Sequence, residues 1–117
     1  MHEYSLAQAL LRQVAAQAAA HQARAVHRVT VRIGAFAGVE PELFATAFRQ
    51  CRAAVPVCAA AELVLTGEAV AWRCAACERA IEGDAALACP DCGAPARLVQ
   101  GDALLLERLE LEVSADV

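Results

Sequence analysis

The chain has 117 residues, of which 59% are hydrophobic and 21% charged, with a formal net charge of −4. That length allows one compact domain plus a small appended lobe, and no apolar run approaches the roughly eighteen residues of a membrane span. The charge is also divided: residues 1–60 hold six Arg against three acids, and residues 61–117 hold four Arg against eleven acids. Ala dominates the hydrophobic fraction, so the expected core is modest.

In chain order, Ser5-x-x-Gln8 reads as a capping box opening a helix. Leu6, Leu10 and Val14, with Leu11, Ala15 and Ala18 beside them, give that helix one apolar face through about His21. Residues 6–20 are Ala-rich enough to imitate a secretory signal core, but Gln8, Arg12, Gln13 and Gln17 interrupt the run and no basic segment precedes it. From Val29 the period changes to two, with Val29, Val31 and Ile33 alternating with Arg28, Thr30 and Arg32. This predicts a half-buried strand ended by Gly34. Gly38-Val39-Glu40-Pro41 predicts a turn into a second helix, with Phe44, Ala47, Phe48 and Cys51 as its buried stripe and Pro56 closing it.

Residues 62–66 and 68–73 read as short strands separated by Gly67, the second running into Cys74. Residues 96–99 are expected to pair beside that entrance. Residues 103–113 read as a long final strand whose alternation changes phase near Glu107, which predicts a bulge or a handover between sheets there. The expected fold class is α+β: two helices packed on a small mixed β-sheet, with an inserted four-cysteine zinc-ribbon lobe. The corresponding domains are residues 1–73 plus 96–117 for the α/β body and residues 74–95 for the lobe.

Cys74-Ala-Ala-Cys77, eleven residues, then Cys89-Pro-Asp-Cys92 place two thiol pairs at zinc-ribbon spacing. Each C-x-x-C puts two sulfurs on one tight turn, and two such turns complete the tetrahedron that Zn²⁺ accepts. Pro90 stiffens the second turn, and Gly93 suits a positive φ that aims backbone amides at the sulfurs. The loop between the pairs has few large apolar residues, so metal binding should supply much of its folding free energy. Two disulfides would need an oxidising compartment, and a thioredoxin-like site leaves one pair unexplained. Iron is chemically admissible in a four-sulfur site, but the loop is short and aromatic cover is scarce. Structural zinc and cytoplasmic residence are the favoured readings. Glu78, Glu82, Asp84 and Asp91 against Arg79 alone argue against a nucleic-acid surface.

Met1-His2-Glu3 at a free chain end offers a terminal amine, two backbone amides, an imidazole and a carboxylate within one small chelate. Nickel(II) favours imidazole and deprotonated amide nitrogen in a tetragonal field. His2 is too large for the aminopeptidases that trim initiator Met, so Met1 is expected to stay. Elsewhere, Cys51 reads as a small buried hydrophobe, Cys58 lies in a connection, and His21 and His27 flank a solvated turn. Trp72 reads as a packing residue. Arg24, Arg28, Arg32, Arg49 and Arg52 form either a solvated face or a surface that steers docking. No nucleophile–base or paired-carboxylate signature marks an enzyme.

Met1-His2-Glu3 opening a helix, Ile33-Gly34 ending the first strand, Val39-Glu40-Pro41 starting the second helix, and the spaced cysteines together resemble the HypA/HybF family of hydrogenase nickel-incorporation proteins. The resemblance covers essentially the whole chain. It implies Ni(II) as transferable cargo at Met1, His2 and Glu3, with His2 the principal ligand, backbone nitrogens assisting, and the Glu3 carboxylate an auxiliary ligand or orienter. Glu40 matches a position where family members place an acid near the nickel end, and a dipole-compensating acid at a helix start is the competing reading. Cys74, Cys77, Cys89 and Cys92 match the zinc ligands. The implied partners are a HypB-type GTPase, the large subunit of a [NiFe]-hydrogenase and, for some members, urease accessory proteins, with no nucleic acid and no membrane. The state is a monomer or homodimer. The rival reading is a protein-interaction or nucleic-acid-binding zinc ribbon with no nickel role.

Overall fold

A computed structural model describes residues 2–82 and 88–114. The elements are α1 (His2–Ala20), β1 (Ala23–Gly34), α2 (Pro41–Arg52), a 3-10 turn (Pro56–Cys58), β2 (Glu62–Glu68), β3 (Ala71–Cys74), β4 (Ala80–Ile81), β5 (Ala96–Gln100) and β6 (Leu104–Val113). The class is α+β, as the residue pattern implied. The strands divide into two three-stranded sheets, ordered β2-β1-β6 and β4-β3-β5, rather than forming one. By packing, residues 1–32, 39–66 and 105–117 make one compact unit, and residues 33–38 and 67–104 make the other. The second unit is wider than the 74–95 cysteine segment because β3, β4 and β5 form a sheet of their own.

The first unit is built on two apolar helix stripes. Ala7, Leu10, Leu11, Val14 and Ala18 of α1 are buried, as are Phe44, Ala47, Phe48 and Cys51 of α2, and α1 packs on α2 and on the 3-10 turn. Phe44 and Phe48 are fully buried, each worth about 2–3 kcal/mol of apolar transfer. Helix α1 opens at His2 rather than at Ser5. Nothing between those residues breaks a helix, and Glu3 in the first turn suits the positive end of the dipole, so Ser5 is helical and does not cap. At the other end Gln22 takes φ +55°, the left-handed conformation that stops α1 without a glycine.

On β1, Val26, Val29 and Val31 are buried, while His27 and Arg28 are both exposed, so the burial phase steps once along the strand. Strand β6 does the same at Glu107 and Arg108. It stays within one sheet throughout, so the handover foreseen near Glu107 does not occur. Charges on β1 pair with acids on β2 and β6. Arg24 donates to Glu112 at 2.8 Å, and Arg28 donates to Glu62 at 2.7 Å and to Glu110 at 2.9 Å. Arg32 pairs with Glu107, and His27 Nε2 lies 2.9 Å from Glu112 Oε1. Three of the five arginines read as a face are thus engaged within the sheet. Arg49 reaches Thr46 Oγ1 at 3.5 Å, and Arg52 bonds the Ala61 carbonyl.

Arg32, with help from Thr66, holds the Glu107 carboxyl below its ordinary value against the opposing effect of partial burial. His27 first, then Arg24, does the same for Glu112. Such a depressed carboxyl stabilises the fold above its unfolded pKa and loses that contribution as pH falls through the folded value. The urea midpoint should therefore drop as pH is lowered from about 5 to about 3. Glu107→Gln should be less stable near neutral pH and should show a flatter acid slope. Equal slopes for the two proteins would mean that the ladder contributes nothing.

Candidate metal centres

The second compact unit is organised around the cysteines. Strand β3 is its centre, antiparallel to β4 and β5, and Trp72 lies opposite Ile81 on one side and Leu98 on the other. Trp72 packs on a buried cluster of Cys74, Ile81 and Cys89, and Phe36 meets it edge-on at 6.2 Å between centroids. Gly34 donates to the Ala103 carbonyl at 2.9 Å, and Phe36 donates to the Gly101 carbonyl at 2.7 Å. A Cβ on Gly34 would collide with the Gly101 backbone, so glycine at 34 is a steric requirement of this crossing.

The two cysteine turns repeat one hydrogen-bond pattern. Glu78 N–H donates to the Cys74 carbonyl at 3.1 Å, and Gly93 N–H donates to the Cys89 carbonyl at 2.9 Å. Cys74 N–H donates to the Arg79 carbonyl at 3.0 Å, and Cys89 N–H donates to the Ala94 carbonyl at 2.8 Å. Each turn closes on a left-handed residue, Glu78 at φ +65° and Gly93 at φ +74°. The positive φ anticipated at Gly93 is present. The one at Glu78 was missed, although Glu78 follows its C-x-x-C as Gly93 follows the other. Glu78 is tied down by Arg73, which bonds its carbonyl at 3.0 Å, and by Arg97, which bonds its carboxylate at 2.9 Å. Arg79 pairs with Asp91 across the turns.

All four sulfurs lie within 4.8 Å of one another. Cys74 Sγ is 3.3 Å from Cys92 Sγ, and Cys77 Sγ is 3.8 Å from Cys89 Sγ. A tetrahedral ion with metal–sulfur bonds of about 2.3 Å sets sulfurs about 3.8 Å apart, so the cluster fits such an ion. Cys77 N–H at 3.3 Å and Ala76 N–H at 3.4 Å point at Cys74 Sγ. The Cys77 amide chiefly, with the Ala76 amide and neighbouring thiols, overcomes burial and lowers Cys74 to about 6. At Cys92 the Ala94 amide acts downward, but the Cys74 thiol, burial, and the Cys89 and Cys77 thiols outweigh it and push the group up to about 11. Four sulfurs this close cannot all ionise without a cation among them.

The amino-terminal candidates lie in the first unit. Met1 is outside the described residues. His2 is exposed, with Nδ1 3.9 Å from Glu3 Oε2. Glu3 Oε2 accepts the Glu40 amide at 3.1 Å, and Glu40 Oε1 accepts the Glu42 amide at 3.2 Å as the N-cap of α2. The Glu40 amide first, then its own amide, and after burial's opposing effect His2, lowers the Glu3 carboxyl. Sequence reasoning placed Glu3 and Glu40 near one another through resemblance, and it missed that the Glu40 backbone makes the contact. Of the other candidates, Cys51 is buried and its thiol holds the nearby Tyr4 hydroxyl above its ordinary value, and Cys58 is buried with its thiol raised by burial. His21 bonds the Gln17 carbonyl. Among the described residues the four spaced cysteines are the only metal-competent cluster of three or more ligating side chains, and no helix is long and apolar enough to cross a membrane.

An α+β chain that gathers four cysteine sulfurs within 4.8 Å of one another carries a metal-binding site by its donors. The chain belongs to the HypA family: residues 1–111 match the family described as "Hydrogenase/urease nickel incorporation, metallochaperone, hypA". It is 36% identical to the hydrogenase maturation factor HypA of Shewanella oneidensis over 99% of both chains. It is 37% identical to that of Wolinella succinogenes over 96% of both. The solution structure of the Ni metallochaperone HypA from Helicobacter pylori superposes with a TM-score of 0.79 at 29% identity, covering 96% of this chain and 98% of that one. Hydrogenase maturation and nickel incorporation by metallochaperones are therefore the business of this chain's family.

A Cβ at Gly93 would meet nothing within 4 Å, so Gly93→Ala isolates the cost of left-handed backbone, about 1–2 kcal/mol. Its metal should be lost to a chelator several-fold to tenfold more readily, whereas Glu78→Gly should change retention little. Cys74→Ser should empty the site and unfold its turns, read by metal analysis and amide NMR. Full retention in Gly93→Ala would show that the turn geometry does not control the cage.

Proposed function

We propose that this protein is a nickel metallochaperone that carries Ni(II) on its amino terminus and holds Zn²⁺ structurally at Cys74, Cys77, Cys89 and Cys92. The carrying observation is that α1 starts at His2, so the amides of His2 and Glu3 belong to the helix turn that has no intrahelical acceptors. Those N–H groups can ionise and bind metal without breaking a helix bond. Ionised amides also put negative charge where the helix dipole is positive, which favours them. The same dipole opposes a bare cation, so the site selects ions able to displace amide protons, as Ni(II) does. The His2 imidazole stands exposed beside them, and the Met1 amine completes the chelate.

Delivery is ligand exchange. Protonating the amine or imidazole opens the chelate stepwise, and an unperturbed α-amine titrates at about 7.7–8.0, so affinity rises with pH. A closed four-sulfur cage holds its ion too firmly for that task. The recipient is the large subunit of a [NiFe]-hydrogenase, reached in the cytoplasm with a HypB-type GTPase, and urease accessory proteins are a second route. The nickel-carrying turn belongs to the unit of residues 1–32, 39–66 and 105–117, and the zinc lobe, residues 74–95, is carried within the unit of residues 33–38 and 67–104. Because the relatives are maturation factors, no reaction is assigned.

The test compares native-start protein with an amino-terminally tagged form and with His2→Ala, by nickel titration calorimetry and total metal analysis. Both changes should abolish nickel uptake while zinc stays near one per chain. Equal nickel uptake by tagged and untagged protein would refute the chelate.

A further inference from the structure

We infer that the Glu3 carboxylate is a positioning group rather than a nickel ligand: it latches the first turn of α1 to the N-cap residue of α2 through the Glu40 amide. This rests on the nickel reading above and assigns a different task to one of its residues. Glu3 Oε2 is 3.1 Å from Glu40 N, and its side chain is only 17% exposed against 60% for His2. The carboxylate therefore faces the protein while the imidazole faces solvent. Glu40 is engaged in turn, since its Oε1 caps the Glu42 amide at 3.2 Å while its own carbonyl accepts the Phe44 amide at 2.9 Å.

Two acids thus form a short chain of hydrogen bonds from the metal-binding turn to the start of α2. Glu40 N–H is an amide outside the helix ladder, and Glu3 gives it an acceptor. The physical effect is to fix the side chain of Glu3, and with it the backbone between His2 and Tyr4, before any metal arrives. A chelate built from neighbouring backbone nitrogens depends on that backbone, so the latch sets how much reorganisation capture requires. A gain of this kind needs the carboxylate as a hydrogen-bond acceptor only, and a neutral amide side chain can supply the same oxygen.

That difference separates latch from ligand. Native-start wild type, Glu3→Gln and Glu3→Ala would be compared by hydrogen exchange of the Glu40 amide in nickel-free, zinc-replete protein, and by nickel titration. The latch predicts that Glu40 exchange stays within about twofold in Glu3→Gln and quickens about tenfold in Glu3→Ala, the size of one net hydrogen bond. Nickel affinity should follow the same order, retained in Glu3→Gln and reduced several-fold in Glu3→Ala. Unchanged Glu40 exchange in Glu3→Ala would overturn the latch. So would Glu3→Gln losing nickel as fully as Glu3→Ala, because the carboxylate would then be binding metal. Wild type that takes up no nickel, with Glu40 exchange ordered as predicted, would refute the chelate and leave the Glu3–Glu40 contact established.

Discussion

A helix that begins at the second residue of a chain leaves its first amides with no carbonyls to bond, and here that deficit is placed beside an imidazole. Helix α1 is held at that end by the bond from the Glu40 amide to the Glu3 carboxylate, and along its length by the packing of Leu10, Leu11 and Val14 against α2 and the 3-10 turn. The opening turn is therefore held in place while its N–H groups reach no carbonyl of the helix ladder. Most helical stability in a protein comes from packing of the apolar face, so without the stripe the donors at the start of α1 would have no fixed placement. Burial in the core and the chemistry proposed for the terminus are linked through one helix.

The sulfur cluster solves the opposite problem. Its donors are crowded rather than unsatisfied, with amides of Ala76 and Cys77 aimed at Cys74 Sγ and the four sulfurs inside 4.8 Å. Repeated turns, closed by Glu78 and Gly93 in left-handed backbone, leave every coordination position of a tetrahedral ion to protein. A site with no open position suits architecture, because nothing remains for an incoming acceptor to attack. An end-of-chain chelate has an exposed edge and protonatable donors, which suits transfer. On the proposed function, the division between a resident ion and a cargo ion follows from the two donor sets.

Much of this was legible in the residues. The stripe Phe44, Ala47, Phe48 and Cys51, the Pro41 start of α2, the pairing of 96–99 beside β3 and the four-cysteine cage all came from periodicity and spacing, which are local. The misses were of two kinds. Ser5 carries a capping signature but sits inside α1, because the helix is free to extend to His2. Gly67 looked like a break, yet it lies within β2. The division into two sheets depends on which strands meet, and no pattern within a single strand encodes that. The Glu3–Glu40 bond spans 37 positions and uses a backbone amide, which has no side-chain signature. Glu78 could have been found, since its place after Cys77 mirrors that of Gly93 after Cys92.

The most direct test of two separate metal sites is X-ray absorption at the nickel edge on zinc-loaded protein that begins with its own Met1. A first shell made only of nitrogen and oxygen scatterers, with the zinc edge still reporting four sulfurs, is the predicted result. Sulfur in the nickel shell, or loss of zinc sulfurs as nickel is added, would place cargo in the cage and contradict the account.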